Sequence, residues 1–267
     1  MNIKMIACDL DGTLRPLSAE FSPRLKKVVT QVQESGIRFV LATGRMFRSA
    51  EPFARELGIR DAIICDQGGT IRDAHTNTIL FEKRMPLELA RDVLVHLPTD
   101  VAVLVCLDEE FYVPRLTDME RSFTESHQKH LHQIPDIATW LPKDPQKIAF
   151  VVEPDDAPAL LANLRARYGD LAQVVRSHAR FVELTHRDVS KGKAVEWLAQ
   201  YWNIPREQVL AMGDQENDVS MIEWAGIGVA MGNAIAEAKA VAQFIALNDD
   251  QDGAAIAIEK FVLNGGV

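Results

Sequence analysis

The chain has 267 residues, 47% of them apolar and 25% charged, which is ordinary for a globular protein with a sizeable core. The net charge of −9 and the absence of a basic stripe exclude a nucleic-acid binder. No apolar run approaches the roughly 18–20 residues that span a bilayer. The N-terminus also lacks the basic start and apolar stretch of a leader, so a cytoplasmic protein is expected.

The first element is an apolar run, Ile3 to Cys8, that reads as a buried strand and ends in "DLDGT", residues 9–13. Ser22-Pro23 then opens a helix with an N-cap and an N1 proline; Leu25, Val28, Val29 and Val32 share its apolar face and Gly36 ends it. Residues 37–45, "IRFVLATGR", give a second buried strand, and residues 61–65, "DAIIC", a third. From about Phe81 to Thr185 the texture changes. "VAVLVCL" is followed at once by "EFYVPRL", and "AQVVRS" by "RFVELTH", so two hairpins are predicted. Helices over 86–97, 118–131 and 155–168 and the strand "KIAFVVE" fill the space between. Toward the C-terminus "QVLAMGD", "GIGVAMG" and "QFIAL" are short strands between helical patterns, and a last helix is predicted from about Asp252 to Leu263.

Strands alternating with helices at both chain ends predict an α/β fold, a doubly wound parallel sheet. An α+β domain is inserted in it. The expected division is a discontinuous core, 1–81 and 187–267, with an inserted domain, 82–186. Cys8, Cys65 and Cys106 are odd in number, widely spaced and set in apolar runs, which reads as buried reduced thiols. His127, His130 and His132 read as a solvated surface, not a metal site. The "NDD" at 248–250 reads as a loop.

In an open parallel sheet, chemistry collects at the carboxyl ends of the strands. Four polar segments fall at such ends or just beyond: "DLDGT" at 9–13, "ATGR" at 42–45, "SKGKA" at 190–194 and "GDQEND" at 213–218. Gathered carboxylates resist ionising together unless a cation compensates, and Mg²⁺ is the natural hard, oxygen-liking choice. Asp9 and Asp214 are the candidate metal ligands, and Asp11 can add its backbone carbonyl. Lys191 supplies a second positive charge, while Thr43 and the amides near Gly44 can hold phosphate oxygens. Asp9 and Asp11, at i and i+2 on an extended segment, project to the same side. One can attack phosphorus while the other serves as acid and base.

The four motifs "DLDGTL", "LATGR", "SKGKAV" and "GDQENDVSM", in this order and with a long insertion between the second and third, resemble the haloacid dehalogenase (HAD) superfamily of phosphohydrolases. Within it the chain looks like the Cof-type branch with a large α/β cap. The resemblance implies a HAD core with a cap domain, Asp9 as nucleophile and metal ligand, and Asp11 as acid/base. It implies Thr43, Gly44, Lys191 and Asn217 as phosphate-binding residues, Asp214 as a metal ligand, and Asp218 and Arg45 as supporting residues. Two departures stand out: Gln67 in "CDQGGT", where the family often has Asn-Gly, and Arg15-Pro16 after "DGTL", where smaller residues are common. Lys193 reads as solvated.

The expected activity is Mg²⁺-dependent hydrolysis of a small phosphorylated metabolite, a sugar phosphate or similar, through an aspartyl-phosphate. A phosphomutase of the phosphomannomutase type and a catalytically silent metabolite-binding regulator are the alternatives. Arg115, Arg180 and His186 are named as candidate substrate-lining positions. A monomer or small homo-oligomer without a nucleic-acid or membrane partner is expected.

Overall fold

The computed structural model describes residues 2–17, 20–96, 101–118 and 130–263. The chain divides into two compact units, one made of Met1–Phe81 and Ser190–Val267, the other of Glu82–Val189. The return to the first unit thus falls at Ser190, against the 187 expected from sequence.

The first stretch of unit 1 contains β1 (Met5–Cys8), α1 (Pro23–Glu34), β2 (Arg38–Ala42), α2 (Phe47–Glu56), β3 (Ala62–Cys65), β4 (Thr70–Asp73) and β5 (Ile79–Glu82). Unit 2 follows with α3 (Leu87–Val95), β6 (Ala102–Leu107), β7 (Glu110–Val113), β8 (Leu131–Gln133), α4 (Ile137–Trp140), β9 (Lys147–Val151), α5 (Ala157–Tyr168), β10 (Ala172–His178) and β11 (Phe181–His186). Unit 1 resumes with α6 (Lys191–Tyr201), β12 (Val209–Gly213), α7 (Val219–Trp224), β13 (Ile227–Ala230), α8 (Ala236–Val241), β14 (Phe244–Ile245) and α9 (Gly253–Ile258).

The sheet of unit 1 runs β14-β13-β12-β1-β2-β3-β4-β5. From β14 to β3 every neighbouring pair is parallel, and β4 turns back antiparallel on β3. This is the doubly wound sheet expected from the sequence. Its period-2 alternation sorts the core into two layers. Ile6, Cys8, Phe39, Leu41, Ile63, Leu210 and Met212 pack on one face with α1, α2 and α9. Met5, Ala7, Val40, Ala42, Ile64, Val209 and Ala211 pack on the other with α6 and α7. Because both faces are covered, the central strands are apolar throughout instead of alternating with polar residues. Helix α1 forms where its signals stand: Ser22 accepts a hydrogen bond from the Leu25 N–H, Pro23 opens the first turn, and Leu25, Val28, Val29 and Val32 are buried. Burying each such side chain contributes about 1.5–3 kcal/mol.

The sheet of unit 2 has the order β10-β11-β9-β6-β7-β8. It is antiparallel except at β7–β8, and both predicted hairpins, β6–β7 and β10–β11, are present. Helices α3 and α5 pack on the face that carries Val103, Val105, Ile148, Phe150, Val182 and Leu184.

Two element boundaries need correction. The last helix starts at Gly253, because Asp252 is left-handed (φ +60°) and cannot join it. Residues Glu259–Leu263 then wind as a wider π-type helix. The helix expected over 118–131 falls mostly outside the described residues, as does His127, and at its far end Leu131 opens β8 instead.

Candidate active site

Strand β1 lies between β2 and β12, so the connection leaves it to one side while the returning chain pairs on the other. Such a switch point opens a crevice at the carboxyl ends of the strands. Asp9 is the first residue beyond β1, and its N–H donates to the Met212 carbonyl (3.0 Å), which extends the ladder by one residue. Asp214 is the first residue beyond β12. Neighbouring strands therefore deliver carboxylates that are distant in sequence.

The turn after Asp9 closes on itself. Leu14 and Arg15 N–H donate to the Leu10 carbonyl, and Gly12 N–H to the Arg15 carbonyl. Gly12 takes φ +86°, and a Cβ there would lie 2.6 Å from Asp214 Oδ2, so this position excludes every side chain. Thr13 Oγ1 donates to Asp214 Oδ1 (3.1 Å), and Gln215 Nε2 donates to Asp214 Oδ2 (2.8 Å).

Lys191 is the first residue of α6, after the N-cap Ser190. Its side chain is fully buried, and Nζ donates to Asp9 Oδ1 and to Asp218 Oδ1, each at 2.6 Å. The other oxygen of Asp218 accepts the N–H groups of Asp214 (2.9 Å) and Gln215 (3.0 Å). Asp218 thus holds both the lysine and the backbone that presents Asp214. Ligand atoms of Asp9, Asp214 and Asp218 lie within 4.8 Å of one another, and all three residues are buried.

The electrostatics follow from that count: three buried carboxylates face one lysine. Burial, first of all, pushes the Asp9 carboxyl well above the usual range; Lys191 opposes this, while Asp218 and Asp214 add to it. Asp214 is pushed up to about 7 by burial and then by Asp218, against the hydrogen bonds from Gln215 and Thr13. Burial alone would lower the Lys191 ammonium, but Asp218 and Asp9 outweigh it and hold the group protonated. The donor set is all oxygen and short of positive charge, which fits a hard divalent cation.

Asp11 stands apart from this cluster. Arg45 grips its carboxylate with Nε on Oδ2 (2.6 Å) and Nη2 on Oδ1 (3.0 Å), and Arg15 Nη2 adds a third contact at 3.2 Å. Both guanidinium groups stack over the Phe53 ring, 4.5 and 5.1 Å from its centroid. Thr43 follows β2, and its hydroxyl accepts the Arg45 N–H (3.2 Å). Gly44 adjoins the Gln67 side chain, and Asn217 Nδ2 donates to Gln67 Oε1 (2.8 Å).

The structure therefore brings Asp9, Lys191, Asp214 and Asp218 into one contact network, pairs Asn217 with Gln67 beside Gly44, and sets Asp11 with Arg45 and Arg15 in a separate group. The partners Thr13, Gln215 and Asn233 were not singled out in the sequence. Asn233 ties down the turn after Asp9 by donating to the Gly12 carbonyl (2.8 Å) and accepting from the Asp249 N–H. Thr13 and Gln215 had a signal, their places inside "DLDGT" and "GDQEND"; Asn233 had none.

In unit 2, Arg180 pairs with Glu153, Arg115 donates to the Val101 carbonyl, and His186 Nδ1 accepts the Asp188 N–H. His130 and His132 meet the two oxygens of Glu110. The three cysteines are buried and none forms a disulfide. No helix among the described residues is long and apolar enough to cross a membrane.

The sequence pattern of the haloacid dehalogenase-like hydrolases matches residues 6–258. The chain belongs to that family. It is 29% identical to phosphatase YwpJ of Bacillus subtilis over 95% of this chain and 98% of the relative. It is 28% identical to the pyridoxal phosphate phosphatase YbhA of Escherichia coli, over 96% and 97%. A crystal structure of a haloacid dehalogenase-like hydrolase from Bacteroides thetaiotaomicron superimposes with a TM-score of 0.83 at 31% identity, covering 96% of this chain and 98% of that one. The protein is accordingly an enzyme, a hydrolase of the phosphatase type.

Proposed function

We propose that the protein is a Mg²⁺-dependent phosphatase that hydrolyses a small phosphorylated metabolite, a sugar phosphate or similar, through a phosphorylated Asp9. The observation that carries this reading is the convergence of Asp9, Asp214 and Lys191 at the carboxyl ends of β1 and β12. The name of the Escherichia coli relative, a phosphatase of pyridoxal phosphate, supports a small phosphorylated substrate.

Asp9 and Asp214, with the Asp11 backbone carbonyl, would hold the ion. Bound there, Mg²⁺ supplies the positive charge that the three carboxylates and the phosphate oxygens need. The remaining chemistry belongs to the chain. The Asp9 oxygen not engaged by Lys191 attacks phosphorus, the bond to the ester oxygen breaks, and that oxygen takes a proton from Asp11. Water then attacks the acyl phosphate, Asp11 accepts its proton, and inorganic phosphate leaves. For either transfer Asp11 has to release part of its grip on Arg45 and Arg15. Lys191, the Thr43 hydroxyl, the Gly44 N–H and Asn217 hold the equatorial oxygens, where charge stabilisation matters most. Asp218 and Arg45 support Lys191 and Asp11 in turn.

The test is phosphate release from 4-nitrophenyl phosphate and from a broad panel of phosphorylated metabolites, with Mg²⁺ and with a chelator. Mg²⁺-dependent release is expected. Failure on every ester in the presence of Mg²⁺ would overturn the proposal, and isomerisation of a hexose phosphate without release would redirect it to a mutase.

A further inference from the structure

Gln67 is one of the two departures from the family pattern, and the structure shows where the longer amide goes. Residues 66–68 follow β3 in three successive left-handed conformations: Asp66 (φ +50°), Gln67 (φ +61°) and Gly68 (φ +100°). Left-handed backbone at two non-glycine residues in a row is uncommon and persists only where surrounding contacts fix it. Here they do. The Gln67 N–H donates to the Thr43 carbonyl (3.3 Å). A Cβ on Gly68 would come 2.3 Å from the Ser190 carbonyl oxygen. The tight run turns the Gln67 side chain inward, where it is 2% exposed.

Once inside, that side chain touches two of the phosphate-binding segments. Its Oε1 accepts from Asn217 Nδ2 at 2.8 Å. Its Nε2 occupies the space that a Cβ on residue 44 would need, only 2.2 Å from that Cβ position. Glutamine fits here because residue 44 has no side chain. The Oε1 atom can only accept, so it fixes which end of the Asn217 amide faces it: the NH₂ end. One N–H of Asn217 is thereby spent on Gln67 and the other is left to donate. The Asn217 Oδ1, buried and without a hydrogen-bond partner, offers nothing that would hold the amide from its other end.

We propose that Gln67 is a positioning residue: it sets the orientation in which Asn217 donates to the substrate phosphate, and Gly44 is required to make room for it. This rests on the phosphatase reading above and adds to it a coupling between three loops. The coupling predicts non-additive losses. Gln67→Asn is the informative change, because asparagine tolerates left-handed backbone while its amide falls one methylene short.

The experiment is a double-mutant cycle over Gln67→Asn and Asn217→Ala, in Mg²⁺, with 4-nitrophenyl phosphate as substrate and inorganic phosphate as competitive inhibitor. Each single variant should raise KM and the phosphate inhibition constant about tenfold, and more than it lowers kcat; the double variant should lose little beyond either single one. In parallel, Gly44→Ala should weaken phosphate binding in the wild-type background by at least as much, and Gln67→Asn should restore part of that loss. Independent, multiplying losses at 67 and 217, or an equal Gly44→Ala effect in both backgrounds, would overturn the inference while leaving the phosphatase reading intact. If the wild-type protein turns over no ester, the same cycle read by calorimetric binding of inorganic phosphate decides this inference separately. Absence of phosphate binding would overturn it along with the phosphatase reading.

Discussion

The two units bury charge in different places. Among the described residues of unit 1, the buried charged groups are Asp9, Asp66, Lys191, Asp214 and Asp218, and none lies within a strand. Asp9, Asp66 and Asp214 stand just past the carboxyl ends of β1, β3 and β12, Asp218 in the turn that opens α7, and Lys191 at the first residue of α6. Among the described residues of unit 2 the buried charged groups are Lys147 and Glu183, both inside strands, on neighbouring β9 and β11, and paired with each other. A parallel sheet whose two faces are covered has no room for charge along its length, so polar groups move to the edge where backbone N–H groups and a ligand can meet them. An ion pair inside a strand pair acts on neighbouring strands of one sheet. The same chemistry thus serves a site in one unit and the sheet itself in the other.

This contrast can be broken experimentally. The largest effect belongs to Asp9→Asn, which should lower phosphate release by roughly 10⁴-fold or more while the circular dichroism and unfolding curve stay near wild type. Normal turnover would end the nucleophile assignment. Asp11→Asn should slow release by about 10²–10⁴-fold, with alkyl phosphates hit harder than 4-nitrophenyl phosphate, whose leaving group needs no proton. Next come the buried cations. Lys191→Met leaves Asp9 and Asp218 without their common partner, and a loss of about 3–5 kcal/mol in urea unfolding is expected. Glu183→Gln should cost a similar amount, but Lys147→Met combined with Glu183→Leu should recover part of it, since a well-packed apolar pair can replace a buried ion pair. No recovery would show that the pair does more than join two strands.

The smallest effect is in pH. Asp9 and Asp214 are held above their unfolded values, Asp214 at about 7. A carboxyl raised by folding binds its proton more tightly in the folded state. That contribution to stability is present at low pH and is lost as pH climbs from the unfolded value through the folded one. Lys191, raised in its turn, contributes stability across this window and loses it only at strongly alkaline pH. The metal-free protein should therefore lose several degrees of Tm between pH 5 and pH 8 by scanning calorimetry. Added Mg²⁺ should restore more at pH 8 than at pH 5, where it competes with protons. A Tm independent of pH in chelator would show that the carboxylates are not strained against one another.

Much of this was legible in the sequence, because each site segment is a short polar stretch after an apolar run. "DLDGT" and "GDQEND" announce themselves in that way, and the alternation of strand and helix fixes which ends they occupy. What was hidden lies in side-chain reach. Arg45 could be named but not assigned, since a flexible guanidinium finds Asp11 only in three dimensions. Gln67 could be seen as one methylene too long, yet its accommodation depends on Gly44, 23 positions earlier. Strands β4 and β5 escaped notice because they are four residues each and only partly buried at the sheet edge, where hydrophobic pattern is weakest. Arg115, Arg180 and His186 rest on residue type alone in the sequence; in the structure Arg115 meets a backbone carbonyl, Arg180 meets Glu153 and His186 accepts a backbone N–H.

The pairing of β1 with β12 has a consequence for biosynthesis. Asp9 emerges from the ribosome early, and its neighbours Lys191 and Asp214 are translated some 200 residues later. At about 5–20 residues per second the nascent N-terminal strand waits roughly 10–40 seconds for the segments that complete its sheet. During that interval the edge of β1 that will receive β12 has no partner from its own chain. Unit 2, continuous in sequence, can be complete before then.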